Sequence, residues 1–319
     1  MGGFLKLSIV STMYRSAQYL EEFVSRSTAA VKSLTDDYEI VFVNDGSPDD
    51  SLHVALSMQE RDPNIRIVDL SRNFGHHAAI VAGLESSTGD LVFLMDCDLE
   101  EQPEWLPRFH DELQRSNLDV VYGVQERRVS TASANLLGGI FWKAINFMSS
   151  VRIPHNPMTC RLMTRDYVNA LLTVEDRVLY LAGVFSWAGF QQKGIPLVKS
   201  PRPKGHASTY SVGKRLLQVT ESFSSFSIAP LFMVFITGVL TWVASIIYAT
   251  YIIGVKLIWP EHVVGGFASL MLSVWFFSGL IILSIGIVGL YLAKVFQEVK
   301  RRPLFIVKKT YEGESHVTR

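Results

Sequence analysis

The chain has 319 residues, 48% of them hydrophobic, and its 30 basic and 30 acidic side chains leave a formal net charge of zero. That balance argues against a nucleic-acid partner. The two cysteines, Cys97 and Cys160, have no CxxC spacing; they suggest neither a disulfide framework nor a zinc site and fit a reducing compartment.

The first apolar stretch, Leu5–Ser11, is too short for a signal peptide and predicts a strand. Gln18–Leu34 has helical apolar spacing. Glu39–Val43 reads as a buried-type strand, ended by the turn Asn44-Asp45-Gly46-Ser47-Pro48. A helix from Asp50 to Glu60, a strand over Ile65–Leu70, a helix over His76–Ser86 and a strand over Leu91–Met95 follow. Helix Pro103–Arg115 and strand Leu118–Tyr122 complete the set. Apolar strands alternating with helices imply an α/β fold whose mostly parallel sheet is covered on both faces. Leu136–Met148 and Leu216–Phe226 are amphipathic and fit interfacial helices, the first fitting an ordinary packed helix equally well.

Charge then nearly vanishes: between Phe226 and Ala293 only Lys256 and Glu261 remain. Two apolar runs, Pro230–Ile253 and Phe267–Ala293, each exceed the ~20 residues needed to cross ~30 Å of hydrocarbon as a helix. Lys214 and Arg215 precede the first, and Lys294, Lys300, Arg301 and Arg302 follow the second. The positive-inside rule therefore predicts a multi-pass protein of the inner (cytoplasmic) membrane, with the large domain and the tail in the cytoplasm. Tyr251 and Trp259 suit an interfacial belt. The expected organisation is a cytoplasmic domain over residues 1–215, a juxtamembrane amphipathic helix over 216–229, two transmembrane helices over 230–293 and a cytoplasmic tail over 294–319.

Open α/β sheets bind ligands beyond the carboxyl ends of their strands. Asp45, Arg72 and the Asp96-Cys97-Asp98 triplet stand there. Asp96 and Asp98 are hard oxygen ligands that suit Mg²⁺ or Mn²⁺ shared with a diphosphate. Asp45 fits a turn former or an acid that holds ribose or base groups; Arg72 fits a bidentate phosphate contact. His76 and His77, adjacent on a helix, cannot both face one metal and read as structural or peripheral. Glu175 and Asp176, beside Arg177, read as surface helix acids or as a candidate general base.

The runs EIVFVNDGSPDDS and LSRNFGHHAAIVAGLESSTGDLVFLMDCDLEEQPE, followed by two apolar spans, closely resemble the inverting family 2 glycosyltransferases. Among them the chain is most similar to the polyprenyl-phosphate glycosyltransferases, such as dolichol-phosphate mannose synthase and bactoprenol glucosyltransferase. The resemblance covers nearly the whole chain. It implies a GT-A fold and transfer of a sugar from a nucleotide sugar, UDP-linked rather than GDP-linked by family weight, to a membrane polyprenyl phosphate. It also leans toward homo-oligomers. By position, Thr12 and Tyr14 match the loop that frames the base, Asp45 the nucleotide-binding acid, Arg72 and Gly75 the segment under the diphosphate, and Asp96 and Asp98 the metal motif. Arg161 resembles the Arg of the family's Gly-Asp-Phe-Arg-Leu motif. Arg202, Lys204 and Tyr210 resemble the acceptor-side loop. Three departures stand out: Ser11-Thr12-Met13-Tyr14-Arg15 replaces Pro-x-Tyr-Asn-Glu, Thr159 stands at the motif's Asp, and Thr209 stands at the Lys of a Lys-Tyr pair. A phosphate acceptor is already ionised and needs no base, so on this reading Asp98, Arg161 and Arg202 carry the chemistry. The alternatives are transfer to a hydroxyl of a lipid-linked glycan and a non-catalytic membrane scaffold.

Overall fold

A computed structural model describes residues 5–126, 156–176, 181–200, 229–258 and 266–313. The elements run β1 (Leu7–Met13), α1 (Leu20–Lys32), β2 (Tyr38–Asn44), α2 (Ser51–Gln59), β3 (Ile65–Leu70), α3 (His76–Ser86) and β4 (Leu91–Leu94). After a 3₁₀ turn (Pro103–Trp105) come α4 (Leu106–Arg115), β5 (Val120–Gln125), β6 (Pro157–Thr164), α5 (Arg165–Leu172), α6 (Leu181–Trp187) and β7 (Gln192–Leu197). Two long helices, α7 (Ala229–Ile258) and α8 (Phe267–Val299), precede a last strand, β8 (Val307–Tyr311).

The strands form one sheet in the order β7-β5-β6-β4-β1-β2-β3-β8. β1 pairs in parallel with β2 and β4, and β2 pairs in parallel with β3. β2 is buried along its whole length, as a strand covered on both faces must be. Alternate residues divide the core into two layers. Leu7, Ile9, Phe42 and Phe93 face α1, α2 and α4, where Phe93 meets Phe109 edge-on at 5.7 Å. Val10, Val41, Val43 and Val68 face α3, α5 and α6. The helix expected over Pro103–Arg115 divides in two; Pro107, with no N–H to donate, stands in the first turn of a new helix.

Three strands were not expected. β6 runs antiparallel between β4 and β5, and β7 lies parallel to β5. β8 runs antiparallel to β3 and closes that edge of the sheet, Leu70 opposite Val307 and Ile67 opposite Tyr311. Residues 294–313 are therefore structured: α8 continues to Val299 and the following strand belongs to the sheet.

The two apolar runs lie on α7 and α8, of 30 and 33 residues. Among the described residues one stretch, Phe276–Val299, is long and apolar enough to cross a membrane, and none of it is buried against the protein. Leu136–Met148, Leu216–Phe226 and Trp259 lie outside the described residues.

Candidate active site at the carboxyl edge of the sheet

Because β1 to β4 are mutually parallel, the residues that follow them meet at one edge. Thr12, Tyr14, Asp45, Arg72, Asp96 and Asp98 all stand there. β6 arrives from the opposite direction, with Arg161 across from Leu94, so Thr159 and Arg161 reach the same edge.

Asp45 is buried, and its carboxylate accepts from the backbone N–H groups of Phe74 at 2.6 Å and Gly75 at 3.0 Å. Burial nevertheless lifts it above the usual carboxylate value, those two bonds opposing the shift. Gly46 allows the clasp: its φ is +58°, and a Cβ there would lie 2.5 Å from the Asn73 nitrogen. The turn after β2 thus grips the turn after β3. Arg72 stacks its guanidinium 4.0 Å over the Phe74 ring and donates to the Asn73 carbonyl at 2.9 Å. Tyr14 is 47% exposed at the rim.

Cys97 is buried, its thiol donating to the Thr12 carbonyl at 3.1 Å, and burial pushes that thiol up to about 12. With Cys97 turned into the core, the flanking acids sit at the site. Asp96 is pushed up to about 6, first by burial and then by Asp98. Glu101 is fully buried and pushed up to about 7, first by burial and then by Asp96. One Glu101 oxygen accepts from the Asp96 N–H at 3.4 Å. The other, Oε1, pairs with the Lys199 Nζ at 3.2 Å. Burial pulls the Lys199 amine down, but Glu101, Asp96 and Glu100 together hold it above the usual lysine value.

His76, expected to be structural or peripheral, belongs to this site. Its Nε2 lies 3.5 Å from Asp96 Oδ1, and its Nδ1 shares a 3.1 Å hydrogen bond with Thr12 Oγ1. The ring is held below the usual histidine value by burial, the neighbouring acids opposing. A cleft of about 300 Å³ opens beside it, lined among others by His76, His77, Thr159, Arg161 and Lys199. Arg161 is buried there at 3.4 Å over the Phe185 ring and donates to the carbonyls of Met158 and Thr159, both at 3.1 Å. Burial pulls it down to about 10, so it stays charged near neutrality.

Sequence reasoning missed Glu101 and Lys199. Glu101 is the fourth acid in the run Asp96–Glu101, a density that was itself a signal. Lys199 stands two residues after β7, a strand the sequence did not reveal. Glu175 and Asp176 line a different cleft, with Glu298 and Arg301. Arg202, Lys204 and Tyr210 lie outside the described residues.

The donor set suits a hard divalent cation. Among the described residues no three His, Cys, Asp or Glu side chains converge as metal ligands. Mg²⁺-type sites commonly use only one or two carboxylates and take their other ligands from phosphates and water. Asp96 and Asp98 supply that number. Burial first, and then the neighbouring Asp98, disfavours the charge on Asp96, a penalty that a dication would relieve.

The model of the family described as glycosyl transferase family 2 matches residues 8–172, from β1 to the end of α5. A protein of Mycobacterium tuberculosis (strain CDC 1551 / Oshkosh) named for glycosyltransferases is 40% identical over 97% of this chain and 90% of its own. An uncharacterized glycosyltransferase of Synechocystis is 34% identical over 95% of each. The SfII prophage-derived bactoprenol glucosyl transferase of Shigella flexneri is 28% identical over 97% of this chain and 99% of its own.

Proposed function

The chain belongs to glycosyl transferase family 2, and on that premise we propose that it moves a sugar from a nucleotide diphosphate sugar to the phosphate of a membrane polyprenol, with inversion, for cell-envelope glycan modification. That it is a glycosyltransferase follows from its family; the donor, the acceptor and the residue roles are the proposal. We assign the donor as UDP-linked by the resemblance.

The observation that carries the lipid acceptor is the way the chain re-enters the sheet. β8 meets β3 with its first residue, Val307, opposite Leu70 at the carboxyl end of β3, and the Ser71 N–H donates to the Ile306 carbonyl at 2.9 Å. Seven residues, 300–306, separate that point from the end of α8, a reach of at most ~25 Å. The apolar helix therefore delivers the chain to the very edge that holds the acids. We read α7 and α8 as two spans, with the catalytic domain on the cytoplasmic side, placing the cleft at the bilayer surface. The name of the Shigella relative, a bactoprenol glucosyl transferase, agrees.

On this reading Thr12, Tyr14 and Asp45 frame the nucleoside, and Arg72 unstacks to meet the diphosphate. Asp96 and Asp98 hold Mg²⁺ or Mn²⁺, which when bound supplies positive charge to the departing diphosphate. Arg161, with Arg202, Lys204 and Tyr210 from the stretch that follows Ser200 in sequence, holds the acceptor phosphate. That phosphate, with a second pKa of ~6, is already dianionic near neutrality. Its oxygen forms the new bond to the anomeric carbon as the bond to the nucleotide diphosphate breaks, and no protein group takes a proton. Thr159, neutral and lining the cleft, stands where the family motif has an acid, as a base-free reaction allows.

Purified protein with Mn²⁺ or Mg²⁺, a panel of nucleotide sugars and undecaprenyl phosphate should form a lipid-phosphate-sugar; labelling of a glycan hydroxyl alone would overturn the acceptor. Asp98→Asn should abolish transfer while leaving folding and membrane insertion intact, and undiminished activity would remove the metal role.

A further inference from the structure

The acid-rich loop after β4 carries Asp96, Asp98, Glu100 and Glu101 within six residues. Such a cluster repels itself unless a positive charge sits inside it. In the structure that charge comes from the protein. Lys199 places its Nζ 3.2 Å from Glu101 Oε1 and 3.7 Å from Glu100 Oε2.

Two further contacts fix the lysine where it is. The Ser200 N–H donates to the Glu100 carbonyl at 3.0 Å, and Gln102 Nε2 donates to Ser200 Oγ at 2.7 Å. The backbone that carries Lys199 is thus tied to the backbone that carries the acids. An exposed ion pair would do little here. This one differs because its carboxylate partner Glu101 is 0% exposed and the lysine side chain 24% exposed. Lys199 also lines the cleft that Arg161 lines.

We propose that Lys199 is a built-in counter-cation of the acidic loop, which holds the acids together before donor binds and makes loading of the divalent ion depend on the donor. The inference rests on the reading of Asp96 and Asp98 as metal ligands and adds to it. A dication entering alone is repelled by the ammonium, which already sits among the acids of the same loop. A dication arriving with a nucleotide diphosphate brings negative charge that offsets both. The lysine therefore lowers affinity for the bare ion and couples ion and donor, each strengthening the other by the same factor. Lys199 is a positioning residue; it touches neither reacting atom.

The test is Mn²⁺ binding to the full-length protein in nanodiscs, followed by electron paramagnetic resonance of the free ion, with and without UDP. Lys199→Met should bind Mn²⁺ alone about tenfold more tightly than wild type, and UDP should then tighten it correspondingly less. Lys199→Arg should keep wild-type values. Lys199→Gln, which keeps a donor for Glu101, covers the case in which methionine unfolds the loop. Unchanged or weaker Mn²⁺ affinity in a folded Lys199→Met or Lys199→Gln protein overturns the inference while leaving the metal reading intact. Equal Mn²⁺ affinity in wild type and Asp98→Asn removes the metal reading and this inference with it.

Discussion

Asp96→Asn should make the ion-free protein more stable while destroying its activity. Asparagine keeps the shape of the side chain and removes the charge. The rise of the Asp96 carboxyl from 3.8 to about 6, led by burial, sets the order of what the fold loses by keeping it ionised, at ~1.36 kcal/mol for each pH unit. Taken whole that is about 3 kcal/mol. The side chain is 26% exposed, so solvent screens part of it, and about 1–2 kcal/mol is the expected gain. Glu101, raised in part by Asp96, is relieved by the same change. For a domain of this size the gain corresponds to about 2–8 °C in Tm. The sign follows from linkage. An acid raised in the folded state destabilises it above the ordinary carboxylate value, and the penalty fades as pH falls through about 6. Thermal unfolding of the nanodisc-embedded protein in EDTA, followed by near-ultraviolet circular dichroism, should show the gap at pH 8 and little of it near pH 4. Saturating Mn²⁺ and UDP should raise the wild type and not the variant. A variant no more stable than wild type at pH 8, or a gap independent of pH, would refute the reasoning.

Two further outcomes test the frame around the site. Glu39 is buried, and despite that burial its carboxylate lies below the usual value because Ser8, the Thr88 N–H and hydroxyl, and Arg66 hold it ionised. Its stabilisation is present above the ordinary carboxylate value and disappears as pH falls through the lowered one, so Glu39→Gln should cost about 1–3 kcal/mol at pH 7 and less in acid, read by denaturant unfolding at both pH values. Gly46→Ala should cost about 2 kcal/mol or more, because the new Cβ meets the Asn73 backbone at positive φ; UDP affinity should fall with it, and an unimpaired variant would separate the Asp45 clasp from donor binding.

Much of this was legible in the sequence because the signals were local. Periodicity placed the strands and helices from β1 to α4, and the parallel alternation required that Asp45, Arg72 and Asp96 share one edge. β6 and β8 stayed hidden for a physical reason. β8, VKKTY, is exposed over most of its residues and is held by backbone pairing to β3, which leaves no apolar alternation to read. Lys199 became part of the site through a strand whose neighbour is set by topology, with β7 beside β5 at the far edge of the sheet. His76 lies beside Asp96, a tertiary contact that helical spacing does not report. Thr12, two strands of sequence away from it, is what holds its ring.

The register of β8 makes the membrane geometry testable without touching the site. The connector 300–306 links α8 to the carboxyl end of β3; with α8 read as a span, as proposed above, its length limits how far the acidic edge can stand from the bilayer. Ten Gly/Ser residues inserted between Arg302 and Pro303 add a flexible segment with a root-mean-square span of about 17 Å. β8 and every residue of the cleft remain in place, so Mn²⁺ and UDP binding should be unchanged. Transfer to undecaprenyl phosphate in a bilayer should fall by about threefold or more, because the edge now samples positions away from the lipid phosphate. Transfer to a short, water-soluble polyprenyl phosphate should not fall. Equal losses with both acceptors would mean that the insertion damages the domain. Undiminished transfer to the bilayer lipid would show that the connector does not hold the edge at the membrane.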